Sequence, residues 1–272
     1  MSRFEGQLGI IGGGVMAEAI LSRLISKEVC LPSQILVSDI SANRLEHLES
    51  EYQVQSTRDN VAVASTSRAL LLAIKPQVFG PVAVQLRSVI PAQCLVLSIL
   101  AGVTLDSLES AFEGCSVLRA MPNTPAIVGA GMTAIATGNH VADTHLDLAY
   151  QLLGAVGEVV TVPESLMDAV TGLSGSGPAF VALILEALID GGVSVGLPRS
   201  TAAQLALQTL LGTATLLRDT GLHPAQLKDQ VTSPGGTTIA GVAALEQAGL
   251  RSALIQAVQA AYHRSFELGQ VE

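Results

Sequence analysis

Aromatic and charged side chains are scarce in this 272-residue chain. Tryptophan is absent, aromatic residues make up 3% and charged residues 14%, against roughly 25% charged residues in an average soluble domain. Hydrophobic residues nevertheless reach 49%, so the apolar mass consists mainly of alanine, valine, leucine and isoleucine. That is more aliphatic surface than the interior of one subunit needs, and it predicts helices that are buried between subunits.

Cysteines and basic residues are also few. Cys30, Cys94 and Cys115 have no metal-ligand spacing, which predicts free thiols in a reducing compartment. The net charge of −9 disfavours nucleic acid and anionic membranes as partners. The first residues lack an apolar signal segment, and the most membrane-like run, 179–189, is short and contains Glu186. We therefore expect a cytoplasmic protein with no membrane partner.

One polar stretch contains side chains that could bind a metal. His140, Asp143, His145 and Asp147 lie in a loop that runs into a helix start. This setting favours a solvated surface over a metal site. We expect no bound metal.

A glycine-rich turn follows the first apolar run. Residues 8–11 predict a strand, and residues 12–17 read Gly-Gly-Gly-Val-Met-Ala, which matches the pattern G-x-G-x-x-A between a strand and a helix. In this pattern the first glycine makes the turn and the second lets the backbone approach a pyrophosphate. The small third residue lets the helix lie close to the strand. The sequence predicts a dinucleotide site here, and a merely flexible glycine turn is the alternative.

A second predicted strand ends at Asp39. An acid at this place accepts hydrogen bonds from the ribose hydroxyls of the cofactor and repels a 2′-phosphate. Arg44 follows and could weaken that preference. Ser41 is either a further cofactor contact or simply the cap of the next helix.

Aliphatic runs alternate with helical segments as far as Pro163. Such runs occur at 70–74, 95–99, 117–118, 132–136 and 159–162. Near-continuous aliphatic strands are typical of a parallel sheet with helices on both faces. Beyond Pro163 only helix signals remain, and Gly191-Gly192 is the expected end of one helix. The sequence predicts an α/β protein with an N-terminal Rossmann-like, doubly wound domain at 1–163 and a C-terminal all-helical dimerisation and substrate-binding domain at 164–272.

A short turn before one of these late helices carries several hydroxyls. Residues 230–240 include two glycines and predict a helix that starts near Thr237. A helix start leaves N–H groups unpaired and carries a partial positive charge, so it attracts anions. The turn is therefore either a carboxylate-binding site or an ordinary capped turn.

Together these segments resemble the pyrroline-5-carboxylate reductases over essentially the whole chain. The resemblance is carried by residues 231–238 (Val-Thr-Ser-Pro-Gly-Gly-Thr-Thr), 171–179 (Thr-Gly-Leu-Ser-Gly-Ser-Gly-Pro-Ala), 121–125 (Met-Pro-Asn-Thr-Pro) and 73–76 (Ala-Ile-Lys-Pro). It implies reduction of 1-pyrroline-5-carboxylate to L-proline by NADPH or NADH. It also implies a homodimer through the C-terminal helices, and it leaves open a decamer of five dimers, as in some members of the family.

The resemblance also implies which residues bind the ligands. The pyrophosphate contacts are Gly12, Gly13, Gly14, Val15, Met16 and Ala17. Further cofactor contacts are Asn60, Ala73, Ile74, Lys75, Pro76, Ile99, Leu100 and Ala101. The substrate contacts are Glu164, Ser233, Gly236, Thr237 and Thr238.

One residue departs from the family pattern. NADPH-preferring relatives often carry a serine that holds the 2′-phosphate where this chain has Asp39. NADP is the cofactor that the resemblance implies, and Asp39 keeps NAD open as well. We expect the substrate carboxylate to bind around residues 233–238, and Thr238 to donate a hydrogen bond to the ring nitrogen of the imine.

Two other functions remain open at this point. A β-hydroxyacid dehydrogenase shares the two-domain plan, but oxidation of a β-hydroxyacid requires a lysine early in the helical domain. None occurs between Met167 and Arg199. A non-catalytic dinucleotide sensor with the same fold is the other alternative.

Overall fold

The computed structural model describes residues 4–269, which divide into two compact units. The first unit contains the chain up to Gly175 together with its end from Ala261 onward, and the second comprises Ser176–Ala260. The division therefore lies later in the chain than Pro163, and the last helix begins in the second unit and ends in the first. The domain ranges 1–163 and 164–272 stay predictions.

The first unit is built on a sheet of eight described strands in the order β3-β2-β1-β4-β5-β6-β7-β8. The strands are β1 (Leu8–Ile11), β2 (Ile35–Ser38), β3 (Gln55–Thr57), β4 (Ala69–Leu72), β5 (Leu95–Ser98), β6 (Ser116–Met121), β7 (Gly131–Thr137) and β8 (Gly157–Thr161). The order of the first six is that of a Rossmann fold, and it reverses direction between β1 and β4. The predicted fold class is confirmed.

Two details of the sheet differ from the sequence prediction. β7 pairs antiparallel with β6, so the sheet is mixed rather than wholly parallel. The connection between them is only a 3₁₀ turn, Thr124–Val128, and a link this short cannot make the crossover that parallel strands need. β3 carries the polar sequence Gln-Ser-Thr at the sheet edge and gives no aliphatic signal.

Helices cover both faces of the sheet. Those of the first unit are α1 (Val15–Ser26), α2 (Ala42–Tyr52), α3 (Asn60–Thr66), α4 (Phe79–Leu86), α5 (Leu105–Ala111), α6 (Asp143–Leu153) and α7 (Met167–Val170). Side chains alternate along the strands, so Leu8 and Ile10 enter one core with α1, α2 and α6. Ile11 enters the other core with α3, α4 and α5. This alternation produces the predicted doubly wound arrangement.

The three cysteines are buried and unpaired. Burial raises the pKa of the Cys30 and Cys94 thiols to about 12, and it also raises the pKa of Cys115. The prediction of free thiols is confirmed, and these thiols are poor nucleophiles at neutral pH.

The second unit is entirely helical. Its helices are α8 (Gly177–Ser194), α9 (Arg199–Thr220), α10 (Pro224–Gln230), α11 (Thr237–Gln247) and the first part of α12 (Leu250–Gly269). The expected end of α8 at Gly191-Gly192 is wrong. A Cβ on Gly192 would lie 3.0 Å from the Ala202 Cβ of α9, so this glycine permits a close helix approach instead. Gly196, with φ +100°, follows the true end of α8.

The helical unit has almost no interior of its own. Among its described residues only Ala202 and Ala206 are buried hydrophobics, whereas Leu183, Leu207 and Leu211 are each more than half exposed. The stretch Glu164–Ser194 is also long and apolar enough to cross a membrane. Its most apolar 18-residue window has a mean hydropathy of 1.6, and 6% of that window is buried. An apolar helical surface of this extent marks an interaction site.

Candidate active site

The glycine turn lies where the strand order reverses, at the carboxyl ends of β1 and β4. The Gly12 N–H donates to Ser38 O (2.7 Å), and the Ala73 N–H donates to Ile11 O (2.8 Å). Gly12 has φ +96°, and a Cβ there would meet Ala73 O at 2.7 Å. Only glycine fits this position.

The start of α1 suits a dinucleotide pyrophosphate. No side chain caps its first turn, so the first N–H groups of the helix are available to an anion. A Cβ on Gly14 would have no described heavy atom within 4 Å. The backbone is therefore open to a ligand at this point, and Ala17 is fully buried against the core. The residues present fit the cofactor that the sequence predicts.

Asp39 has a structural role within the glycine turn, and its contact with the ribose stays a prediction. Its Oδ2 accepts a hydrogen bond from the Gly13 N–H (2.8 Å), and its Oδ1 accepts one from the Ser41 N–H (2.9 Å). Ser41 also caps α2 through the Arg44 N–H (3.4 Å). The carboxylate thus holds the glycine turn in place, and each oxygen retains a lone pair for a ribose hydroxyl.

Arg44 is held by a neighbouring carboxylate. Its guanidinium forms an ion pair with Glu18 and donates to the Gly13 carbonyl. Burial alone would raise the pKa of Glu18, but hydrogen bonds from His47, Arg44 and Tyr52 and the charge of Arg44 outweigh that effect. Together they lower the pKa to about 2. The positive charge of Arg44 is therefore balanced within the protein.

The other predicted cofactor residues also lie at the carboxyl ends of their strands. Asn60 begins α3 and accepts a hydrogen bond from the Ser38 hydroxyl (2.7 Å). Lys75 is exposed and precedes the 3₁₀ turn that follows β4. The Ile99 N–H donates to Leu72 O (3.1 Å), which ties the segment after β5 to β4. Leu100 is 2% exposed, so its side chain belongs to the core and only its backbone could meet a ligand.

Glu164 lies in the first unit, where its carboxylate is already engaged. Its Oε1 accepts hydrogen bonds from the Leu105 N–H (2.6 Å) and from Arg119 Nη1 (3.1 Å). The Arg119 side chain is 8% exposed, and it lines a cavity of about 120 Å³ with Gly102, Thr104 and Asp168. The Asp168 carboxylate in turn accepts a hydrogen bond from Ser265 of α12 (2.7 Å). Glu164 therefore holds the segment after β5 in place through its hydrogen bond from the Leu105 N–H.

Two of the resemblance motifs contact each other directly. Asn123 Nδ2 donates to Ser174 O (3.1 Å), and the Met132 N–H donates to Asn123 Oδ1 (2.8 Å). Residues 171–175 form a π-helical turn, and a Cβ on Gly175 would lie 2.9 Å from Met121 Cε. The small residues thus let this turn approach the end of β6 closely.

The start of α11 in the second unit is uncapped, as the carboxylate prediction requires. Gly236 precedes the helix, and no side chain accepts from its first turn. A Cβ on Gly236 would meet Ser233 Oγ at 2.3 Å. Within residues 4–269 the hydroxyls of Ser233, Thr237 and Thr238 form no hydrogen bonds, whereas the Thr232 hydroxyl donates to Lys228 O (2.6 Å).

The polar stretch at 140–147 has a local structural role. His145 Nδ1 lies 2.9 Å from Ser116 Oγ and 3.3 Å from the Ala142 N–H that it caps. Across the described part of the chain, no group of three or more His, Cys, Asp or Glu side chains could hold a metal ion.

The fold and the glycine turn define a dinucleotide-binding oxidoreductase with an added helical region. Residues 7–102 match a family model described as NADP oxidoreductase, coenzyme F420-dependent, and residues 164–268 match one described as pyrroline-5-carboxylate reductase dimerisation. The pyrroline-5-carboxylate reductase of Synechocystis sp. is 58% identical over 264 residues, which cover 97% of this chain and 98% of that protein. The Arabidopsis thaliana enzyme of the same name is 42% identical, covering 97% and 96%. The chain belongs to the pyrroline-5-carboxylate reductase family.

Solved structures agree with this assignment. The pyrroline-5-carboxylate reductase of Coxiella burnetii superposes with a TM-score of 0.90 at 36% identity, covering 97% of this chain and 98% of that one. A Plasmodium falciparum pyrroline carboxylate reductase with NADP bound also gives 0.90, at 27% identity, covering 99% and 100%.

Two arginines around the site are not predicted from the sequence. Arg119 sits within an otherwise aliphatic strand, and its partner Glu164 is distant in the chain. Arg58 follows the polar edge strand β3 and donates to Ile40 O (3.0 Å) at the end of β2. Its only sequence signal is its place directly after a strand, and β3 itself is not predicted.

Proposed function

We propose that this chain reduces 1-pyrroline-5-carboxylate to L-proline, with NADPH as hydride donor and NADH as the alternative that Asp39 keeps open. The family assignment supports the reaction. The observation that carries the proposal is the uncapped start of α11, where three hydroxyls and the first N–H groups of a helix are available together.

This turn binds the carboxylate of the substrate. The N–H groups of Thr237 and Thr238 and the Ser233 hydroxyl donate to its oxygens, and the helix dipole favours the negative charge. A side chain at Gly236 would displace the Ser233 hydroxyl, because its Cβ would lie 2.3 Å from Ser233 Oγ. The turn thereby fixes the position of the whole five-membered ring.

Thr238 acts on the ring nitrogen. Thr238 is half-buried, and its hydroxyl donates a hydrogen bond to the neutral imine nitrogen that orients the ring and can relay a proton to it. The dihydronicotinamide, when bound, supplies a hydride to the imine carbon. A protonated imine accepts hydride readily, so orientation provides much of the catalysis.

The first unit holds the cofactor. Gly12, Gly13 and Gly14 with the start of α1 bind the pyrophosphate, and Asp39 receives the ribose hydroxyls. The remaining contacts are Val15, Met16, Ala17, Asn60, Ala73, Ile74, Lys75, Pro76, Ile99, Leu100 and Ala101. Glu164 is a substrate contact whose carboxylate also supports Arg119.

The protein acts as a homo-oligomer. The helical unit buries only two alanines by itself, and a partner covering its exposed leucines would supply the missing core. A homodimer through the C-terminal helices meets this need, and its dimers can assemble further into a decamer. Burial against a partner subunit also accounts for the apolar stretch 164–194. The enzyme is cytoplasmic, with no membrane partner and no bound metal.

A pair of threonine variants tests the role of the turn. Thr238→Ala removes the hydrogen bond between its hydroxyl and the ring nitrogen. Once that nitrogen is protonated its N–H donates to the Thr238 oxygen, and a hydrogen bond that involves a charged group is worth roughly 1.5–3 kcal/mol. We expect kcat/KM to fall by about one to two orders of magnitude. Thr232→Ala removes a hydroxyl from the same turn that bonds only locally, so its kcat/KM should stay within about twofold of the parent. Rates are read from cofactor absorbance near 340 nm.

The outcomes separate this proposal from its alternatives. Full activity in a folded Thr238→Ala protein would remove the assignment of Thr238, and equal losses in both variants would indicate a general effect on the turn. A parent protein that binds cofactor but does not turn over the imine would be a dinucleotide sensor. Oxidation of β-hydroxyacids in its place would indicate a β-hydroxyacid dehydrogenase.

A further inference from the structure

The loop after β2 is flanked by two arginines. Within the described residues, one of them is neutralised by an ion pair, and the other is not. Arg44, on α2, forms an ion pair with Glu18 and donates to the carbonyls of the glycine turn. Arg58, directly after β3, donates only to the neutral backbone carbonyl of Ile40 (3.0 Å) and forms no ion pair with any residue of 4–269. Arg58 is also exposed. Its charge is therefore available to a ligand, whereas that of Arg44 is not.

The sheet register places Arg58 beside the ribose-binding residue. Ser38 of β2 pairs in parallel with Thr57 of β3. The next residues along the two strands are Asp39 and Arg58, so both lie at the same carboxyl edge of the sheet. Ligands of doubly wound sheets bind beyond this edge. The hydrogen bond to Ile40, the residue after Asp39, fixes the guanidinium on the same loop.

A 2′-phosphate needs a cation at this place. Asp39 has both oxygens fixed on backbone amides, so it cannot swing away from an incoming phosphate, and like charges repel. The acid next to Arg58 in the chain, Asp59, is itself occupied as the cap of α3 through the Val61 N–H (2.9 Å). A guanidinium carries several donors in a fork that matches phosphate, and the bond to Ile40 uses only one of them.

We propose that Arg58 binds the 2′-phosphate of NADPH and thereby permits NADPH use despite Asp39. This inference rests on the proposed cofactor site, and it assigns the discrimination between NADPH and NADH to the end of β3. The guanidinium offsets the charge of Asp39 when the phosphate is present. With NADH, Asp39 takes the free 2′-hydroxyl and Arg58 is not needed.

Binding of two unreactive cofactor fragments tests the assignment. ADP-ribose and its 2′-phosphate derivative are titrated by calorimetry into the whole protein, its Arg58→Gln variant and its Arg68→Gln variant. Arg68 is a matched control, because it also donates to a single backbone carbonyl, Glu5 O (2.7 Å), but at the opposite edge of the sheet. We expect Arg58→Gln to weaken the phosphorylated fragment about 10- to 100-fold. ADP-ribose should change by less than about twofold, and Arg68→Gln should change neither.

An Arg44→Gln variant supplies the competing outcome. A selective loss of the phosphorylated fragment in Arg44→Gln, with Arg58→Gln unaffected, would overturn the proposal and move the phosphate to α2. If Arg58→Gln binds each fragment as tightly as the parent does, the proposal is also overturned, while the cofactor site stays intact. A parent protein that binds neither fragment would refute the cofactor site itself. A matching fall in the NADPH-to-NADH ratio of kcat/KM in Arg58→Gln supports the assignment.

Discussion

Removing the Glu164 side chain should destabilise the first unit markedly. Arg119 is 8% exposed and Glu164 is 30% exposed, so Glu164→Ala leaves a nearly buried guanidinium without its counter-ion. Breaking a fully buried pair in this way costs about 3–5 kcal/mol. Because the carboxylate is partly solvated, we expect about 2–3 kcal/mol here. The lost acceptor for the Leu105 N–H is included in this figure.

Urea unfolding at one fixed protein concentration measures the effect. The control is Glu267→Ala, which removes a carboxylate from the exposed pair with Arg264 (66% and 61% exposed) and should cost less than about 0.5 kcal/mol. The double variant Arg119→Met/Glu164→Ala removes both charges. Its loss of unfolding free energy should be smaller than the losses of Arg119→Met and Glu164→Ala added together. Equal losses in Glu164→Ala and Glu267→Ala would refute the view that Glu164 neutralises Arg119.

Two further predictions concern the acids near the glycine turn. Glu18 has its pKa lowered from 4.5 to about 2 in the folded state, so it stabilises the fold above about pH 4.5 and loses that effect as the pH falls towards 2. Glu18→Gln should therefore lose about 1–2 kcal/mol at pH 7 and a little under half of that at pH 3, by urea unfolding. Equal losses at both pH values would contradict this. Asp39→Ser should raise the NADPH-to-NADH ratio of kcat/KM about tenfold, and an unchanged ratio would show that Asp39 does not read the ribose.

The fold could be predicted largely from pattern because its strands are aliphatic and its turns carry glycine at positions that demand it. Leu8 to Ile11 with Gly12 is the clearest example, since the strand, the turn and the helix start all have local signals. β3 escapes prediction because its Gln-Ser-Thr sequence is polar at a sheet edge. Gly191-Gly192 misleads because glycine serves equally to end a helix or to let another helix approach closely.

The candidate site is predictable where one segment contains the whole arrangement. The turn before Thr237 carries its own hydroxyls, glycines and helix start, so the sequence predicts its chemistry. Arg119 with Glu164 and Arg58 with Ile40 are joined only by folding, and the chain gives no local sign of either contact. The sequence predicts only a ribose contact for Asp39. Its hydrogen bond from the Gly13 N–H could not be predicted, because it depends on the three-dimensional path of the turn.

A crystal structure of the protein with NADP⁺ and L-proline would test the central claim most directly. We predict that the proline carboxylate lies within hydrogen-bond distance of the Thr237 and Thr238 N–H groups and the Ser233 hydroxyl, with the ring nitrogen next to the Thr238 Oγ1. Proline bound away from the start of α11, or with its carboxylate turned from those N–H groups, would contradict the account.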